Sequence, residues 1–251
     1  GHTVISTNAD NKADKQISDI ESMIQQKIDV AVVHAFSADG IVPAIDALNA
    51  AEIPIVLVDF PIESENYNTI VTDEQYLNGV IQAEYVNKWL EEDDSRTANI
   101  GYIVGSYSME SAMPRMHGFF ETCTKGNKLV EGEGGWSSDG AMTLAEDWMQ
   151  AYPDMNVFVA MSDEMALGVV QALKGAGKNM EDVLILGIDG SAEGLAAIRA
   201  GELDCTAARD IPKEARIALE ASEKVAAGES VEKTIRPEAI TAITINNVPA
   251  A

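Results

Sequence analysis

Basic residues are scarce in this chain. Its 251 residues carry 17 Lys plus Arg against 41 Asp plus Glu, a formal net charge of −24. Such a surface repels phosphate backbones, so nucleic acid is not expected as a partner. The plain reading of the charge is solubility; charge-based recruitment is the other. Cysteine is nearly missing too. Cys123 lies in a helical pattern and Cys205 in an expected strand, with no metal-ligand spacing. Two buried free thiols are expected rather than a bridge, and they do not fix the redox compartment. No apolar run is long enough to span a bilayer. The opening Gly-His-Thr-Val has no basic stretch leading into an apolar one, so no signal peptide is legible. Enzyme signatures are missing as well: no Gly-x-Ser-x-Gly elbow, no phosphate-cradling Gly-Lys-Ser/Thr loop, no Gly-x-Gly-x-x-Gly after a strand. Three histidines, His2, His34 and His117, are widely scattered. His34 alone, at a strand end, is placed to line a cleft; core or surface is its other reading. With no nucleophile–base pair, neither an enzyme, a cofactor nor a metal is expected.

What is present is a rhythm. Hydrophobic residues make up 46% of the chain and mean hydropathy is −0.03, as in an ordinary globular protein long enough for a large core and two lobes. The stretch 157–190 organises the rest. An apolar run at 157–160 stops at Ser162-Asp163. Met165, Val169, Ala172 and Leu173 then recur at helical spacing. A second apolar run at 183–188 stops at Asp189-Gly190. That is strand, helix, strand, with polar residues at the carboxyl end of each strand. In an open parallel sheet those ends line the ligand crevice.

The same alternation runs through the chain. Strands are predicted at 2–7, 29–35, 54–58, 68–72, 99–104, 128–131, 204–208 and 239–246. Between them lie helices carrying Ile17, Ile20, Ile24 and Ile28; Ile41, Ile45 and Leu48; Leu77, Ile81, Tyr85 and Leu90; and those at 141–152, 192–200 and 212–227. Asn8 to Asn11 and Ser37 to Asp39 supply turn and cap residues. Alternating strands and helices mean parallel sheets covered on both faces, linked by right-handed crossovers. The strand count exceeds what one compact half needs, so two α/β lobes follow.

The residues just past the strands form a set: Asp59; Gly105-Ser106 with Arg115 on the next helix; Trp136; Ser162-Asp163; Asp189; Arg209-Asp210. Carboxylates accept from adjacent hydroxyls, Arg donates in a planar fork, and an indole covers the C–H face of a ring. A hydroxyl-rich ligand suits them. Each also has a structural reading. Asp59, Asp189 and Ser162 can cap the next helix, Arg115 can be a surface ion-pair partner, and Trp136 can fill the core. Met109, Met113, Met116, Met161 and Met165 read as core filler.

Four motifs carry a resemblance: Ser162-Asp-Glu-Met-Ala-Leu-Gly168 with Gly187-Ile-Asp-Gly190; Ile53-Pro-Ile-Val-Leu-Val-Asp59; Arg115-Met-His-Gly-Phe119; and Lys15-Gln-Ile-Ser-Asp-Ile-Glu-Ser-Met-Ile24 before Asp29-Val-Ala-Val-Val33. In order and over nearly the whole chain they resemble the type I periplasmic sugar-binding proteins, the ribose-binding-protein-like group. The resemblance implies two doubly wound parallel-sheet lobes joined by a three-segment hinge, with crossings near Thr72-Asp73, Asp210 and Ala239. The lobes would be 1–72 with 211–239, and 73–210 with 240–251. It implies a monomeric, extracytoplasmic receptor, periplasmic or lipid-tethered, that captures a monosaccharide or polyol and delivers it to an ABC transporter permease by hinge closure. The family's ligand positions match Asp59, Arg115, Trp136, Ser162 and Asp189, plus Arg209 or Asp210.

Departures bear on the ligand. Ser162 stands where the family commonly has Asn. Phe60 follows Asp59 where Arg is frequent, and can add an apolar wall. Arg209-Asp210 replaces a Gln near the third hinge. The family also opens with a strand and helix of roughly 30 residues before the stretch matching 2–7. Without that piece the first strand lacks a neighbour and half the sugar clamp is missing, so a fragment is expected. The alternative is the effector-binding core of a LacI-type transcription regulator, which shares the fold. Those regulators usually carry a second Asp where Gly190 stands, and −24 sits poorly beside DNA.

Overall fold

Apolar runs and helical periods resolve into ten strands and eight α-helices among the described residues of the computed structural model, 1–109, 112–237 and 240–250. The chain divides into two units. One comprises Gly1–Asp73, Ser108–Glu110 and Ile211–Glu238; the other comprises Glu74–Tyr107, Ser111–Asp210 and Ala239–Ala251. The expected third crossing at Ala239 lies outside the described residues.

The first unit holds α1 (Ala13–Gln25), β1 (Ala31–Val33), α2 (Val42–Ala50), β2 (Ile55–Val58), β3 (Thr69–Val71), α8 (Ile211–Ala226) and β9 (Thr234–Ile235). Its four strands are parallel in the order β1-β2-β3-β9. Side chains alternate across a pleat, so Ile55 and Leu57 face one way and Val56 the other. The first pair packs with Ile45 and Leu48 of α2 and Ile20 of α1. Val56 and Val71 pack with Ala218, Ala221 and Val225 of α8. β2 is covered on both faces, which is why it reads as an unbroken apolar run. Each such buried side chain contributes about 1.5–3 kcal/mol.

The second unit holds α3 (Gln75–Glu91), β4 (Asn99–Val104), α4 (Ala112–Thr122), β5 (Asn127–Glu133), α5 (Ser138–Ala151), β6 (Val157–Ala160), α6 (Asp163–Gly175), β7 (Leu184–Asp189), α7 (Ala192–Arg199), β8 (Cys205–Ala208) and β10 (Thr241–Thr244). Its sheet runs β10-β8-β7-β6-β4-β5. From β4 the chain steps outward to β5, then returns past β4 to β6, β7 and β8. The direction of winding therefore reverses between β4 and β6, and that is where such a sheet opens a crevice at its carboxyl edge. Cys123 and Cys205 are both buried and free.

Four local expectations change. Residues 2–7 alternate in polarity but form no strand; the segment is exposed, with His2 Nε2 2.8 Å from Glu223 Oε1. A strand persists only if a neighbour takes its backbone groups, and β1 pairs only with β2 among the described strands. β10 is antiparallel to β8; it is an edge strand, which needs no crossover helix. Asn8 to Asn11 do not cap α1, whose N-cap is Lys12 without a side-chain bond. β9 was not expected, because two residues are too short to show a period.

Candidate functional site

In the first unit, β1 and β2 end side by side and bring three expected residues together. His34 follows β1, while Asp59 and Phe60 follow β2. His34 Nε2 lies 3.2 Å from Asp59 Oδ2, and the His34 and Phe60 rings stand 5.3 Å apart between centroids. His34 is 54% exposed at its side chain, Asp59 only 16%. The Asp59 backbone is pinned on both sides: its N–H donates to the Val71 carbonyl at 2.8 Å, and its carbonyl accepts from the Thr72 hydroxyl. Phe60 is buried.

In the second unit, Arg115 and Trp136 lie at the carboxyl ends of β6 and β4. Arg115 sits in the first turns of α4 and is 2% exposed. Its Nε donates to Gln75 Oε1 at 2.7 Å, and its Nη1 donates to the Met161 carbonyl, just past β6, at 2.6 Å. The guanidinium carbon lies 5.6 Å from the centre of the Trp136 ring, within cation–π range. The indole rests on Gly105 at the end of β4. A Cβ there would stand 2.1 Å from the ring, so the stacking requires glycine. Trp136 is half-buried rather than core. The buried Met109, Met116, Met161 and Met165 do fill the interior, while Met113 is half-buried.

Ser162 is buried and caps α6, its hydroxyl accepting from Met165 N–H at 3.2 Å. Asp189 ends β7. Arg209 ends beside it: Nη1 lies 3.7 Å from Asp189 Oδ1, and the Arg209 N–H donates to the Asp189 carbonyl at 3.1 Å. The Arg209 side chain is only 6% exposed, whereas Asp210 is an exposed residue.

Backbone strain marks the same places. Seven described non-glycine residues have positive φ. Four of them, Asp10, Asn11, Lys27 and Glu52, sit in turns flanking helices. The other three are Asp59 (φ 67°), Trp136 (φ 54°) and Asp189 (φ 121°), each just after or at the end of a strand. Such conformations cost about 1–3 kcal/mol each and persist where surroundings enforce them, often at ligand sites.

Some contributors were not legible. Gln75 positions Arg115, and Gln82 donates from Nε2 to the carbonyls of Ala160 and Gly187, at 2.9 and 3.0 Å. Both come from the buried face of α3, where a glutamine in an apolar period carries no sign of its target. Asp163 was noted only as the neighbour of Ser162. It is fully buried, and burial pushes its carboxyl up while bonds from Thr206 and Ser191 pull it back. Among the described residues, no group of three His, Cys, Asp or Glu side chains is arranged to hold a metal ion.

The periplasmic binding protein domain matches residues 1–230. The chain belongs to the type I periplasmic sugar-binding proteins. Members of that family are binding proteins rather than enzymes. Among this chain's relatives is the ribose import binding protein of Bacillus subtilis, 28% identical over 236 residues, covering 94% of this chain and 75% of the relative. A xylitol-binding protein of Mycolicibacterium smegmatis is 27% identical over 247 residues, covering 97% and 69%. An ABC transporter solute-binding protein of Bacillus halodurans, solved with bound myo-inositol, superposes with a TM-score of 0.87 at 26% identity, covering 96% and 83%. Among the described residues, no helix of this sugar-binding protein is long and apolar enough to cross a membrane.

Proposed function

We propose that this chain is an extracytoplasmic receptor that binds a monosaccharide or polyol and delivers it to the permease of an ABC transporter. Arg115 carries this reading. A buried guanidinium, held by Gln75 and the Met161 carbonyl, lies over an indole at the winding reversal of the sheet. A donor fork beside an aromatic face suits a ring with hydroxyls on its rim and C–H bonds on its faces. Asp189, with Arg209 alongside, accepts and donates to further hydroxyls; Ser162 and Asp210 complete that set. From the first unit, Asp59 accepts, and His34 and Phe60 flank it. Ribose, xylitol and myo-inositol, named for the relatives, share adjacent hydroxyls, which is the chemistry these groups read.

A ligand engaged by residues of both units favours the arrangement in which both engage it. That shift in population is the signal a permease would recognise. No covalent chemistry is involved, and the receptor works as a monomer outside the cytoplasmic membrane. The ribose import binding proteins among the relatives favour the receptor reading over the regulator one.

The test is a thermal-shift panel of ribose, xylitol, myo-inositol and hexoses, with amino acids as contrast. At about 100 times Kd, a ligand of the native state adds about 2.7 kcal/mol of stability. A polyhydroxylated compound is expected to raise the midpoint, and Asp189→Ala to reduce the rise. A panel in which only amino acids act, or nothing does, contradicts the proposal.

A further inference from the structure

We propose that Asp163 is a positioning residue whose buried carboxylate clamps the turn after β7 and thereby holds Asp189 in its strained, ligand-facing place. The ligand part rests on the reading above; the clamp itself does not.

The sheet creates the need. β6 and β7 pair only as far as Val159↔Leu186, while β7 and β8 pair on to Asp189↔Ala208. Beyond Leu186, β7 has lost one neighbour. Two side chains fill the parting. Gln82 bridges the Ala160 and Gly187 carbonyls with one amide. The Asp163 carboxylate fits so closely that a Cβ on Gly187 would stand 2.3 Å from Oδ1, and one on Gly194 2.2 Å from Oδ2. Only glycine at both positions admits the carboxylate.

The turn that follows is doubly unusual. Asp189 has φ 121° and Gly190 φ 69°. The next two amides are both held by the clamp. Ser191 N–H donates directly to Asp163 Oδ2 at 2.8 Å, and the Ser191 hydroxyl donates to the same atom at 3.0 Å. Gly190 N–H donates to Thr206 Oγ1 at 3.1 Å, and that hydroxyl donates to Asp163 Oδ1 at 2.7 Å. The direction of the chain matters. An ionised carboxylate only accepts, so the Thr206 proton must point at Asp163 and its lone pairs are left for Gly190. The Ser191 hydroxyl, its proton likewise committed, accepts from Gly194 N–H at 2.9 Å and so caps α7. One carboxylate thus orders both the turn and the helix start after Asp189. An amide in its place has one acceptor oxygen, and its NH2, turned to Thr206, would force that hydroxyl's proton away from the site.

The experiment compares wild type, Asp163→Asn and Thr206→Val in the full chain without ligand, by amide hydrogen exchange resolved at Gly190 and Ser191. Asp163→Asn should speed exchange at both amides at least tenfold, while amides of the β4–β6 ladder keep their protection. Thr206→Val, which removes the acceptor of Gly190 and one donor to Asp163 but leaves both Ser191 bonds in place, should expose Gly190 and spare Ser191. Unchanged protection at both amides in Asp163→Asn overturns the clamp. Should Asp163→Asn fail to fold, Ser191 in the wild type decides, since its N–H donates directly to Asp163: slowed exchange there supports the clamp, and exchange at the unprotected rate overturns it. The link to Asp189 is read by titrating myo-inositol, ribose and xylitol into the same variants with and without Asp189→Ala. A loss of affinity from Asp163→Asn that disappears once Asp189 is gone supports action through that residue. An equal loss in both backgrounds overturns it. A wild type that binds none of the three, nor any hexose of the thermal-shift panel, rejects the sugar reading and leaves the clamp to the exchange data.

Discussion

The carboxyl edges of the two sheets are built to different standards. In the first unit, His34 and Asp59 share one contact at 3.2 Å, and the histidine is more than half exposed. In the second, Arg115 is buried between a glutamine, a carbonyl and an indole. The ends of β6 and β7 are tied together by Gln82 and Asp163. A group already fixed where its ligand will sit loses little freedom on binding, whereas a mobile one must be ordered at that moment. The Arg115 cluster of the second edge is therefore ordered in advance. The second edge is also coupled to stability, because its side chains hold the sheet.

Breaking the buried edge should have the largest effect. Arg115→Met leaves Gln75 Oε1 and the Met161 carbonyl without their charged donor, so chemical denaturation should show a loss of roughly 3 kcal/mol together with loss of ligand binding. Gly105→Ala comes next. Its methyl meets the Trp136 ring, and displacing a well-packed ring costs about 1–3 kcal/mol in the same assay. A variant as stable as wild type would show that the indole is not seated there.

Asp204 sharpens the comparison from within the second unit, through pH. Burial pushes its carboxyl up from 3.8 to about 6, against a bond from Ile185 N–H at 2.8 Å that pulls it down. Between those values the folded protein keeps a proton that the unfolded chain has released, so stability falls as pH rises through the window. Asp204→Asn keeps an acceptor for Ile185 and removes the ionisation. It should match wild type near pH 4 and exceed it by roughly 2 kcal/mol at pH 7 and above, in parallel denaturation curves. A constant difference across pH would contradict the assignment. The smallest effect belongs to the first edge: His34→Ala should change stability by less than about 0.5 kcal/mol, since an exposed pair contributes little, while still weakening ligand binding.

Much of this was legible in the chain. β2 and β6 announce themselves as short apolar runs because helices cover both faces, and Asp59 and Asp189 because a polar residue breaks each run at its carboxyl end. Periodicity reports which side of an element is buried. It cannot report who the neighbour is. That is why residues 2–7, which alternate correctly, were expected as a strand and form none. It is also why Gln75 and Gln82 went unnoticed: their partners lie 40 residues away in Arg115 and 78 away in Ala160. Asp163 was hidden differently. An Asp beside a capping serine at a strand end looks like part of the cap, and only the packing around Gly187 and Gly194 shows it turned inward.

The most direct test of the account is calorimetric titration of the polyol giving the largest thermal shift into wild type, Asp59→Ala and Asp189→Ala. Each carboxylate is predicted to contribute a charge-assisted bond, so each variant should bind at least about tenfold more weakly. Wild-type affinity in either variant would remove that carboxylate from the proposed site and contradict the account.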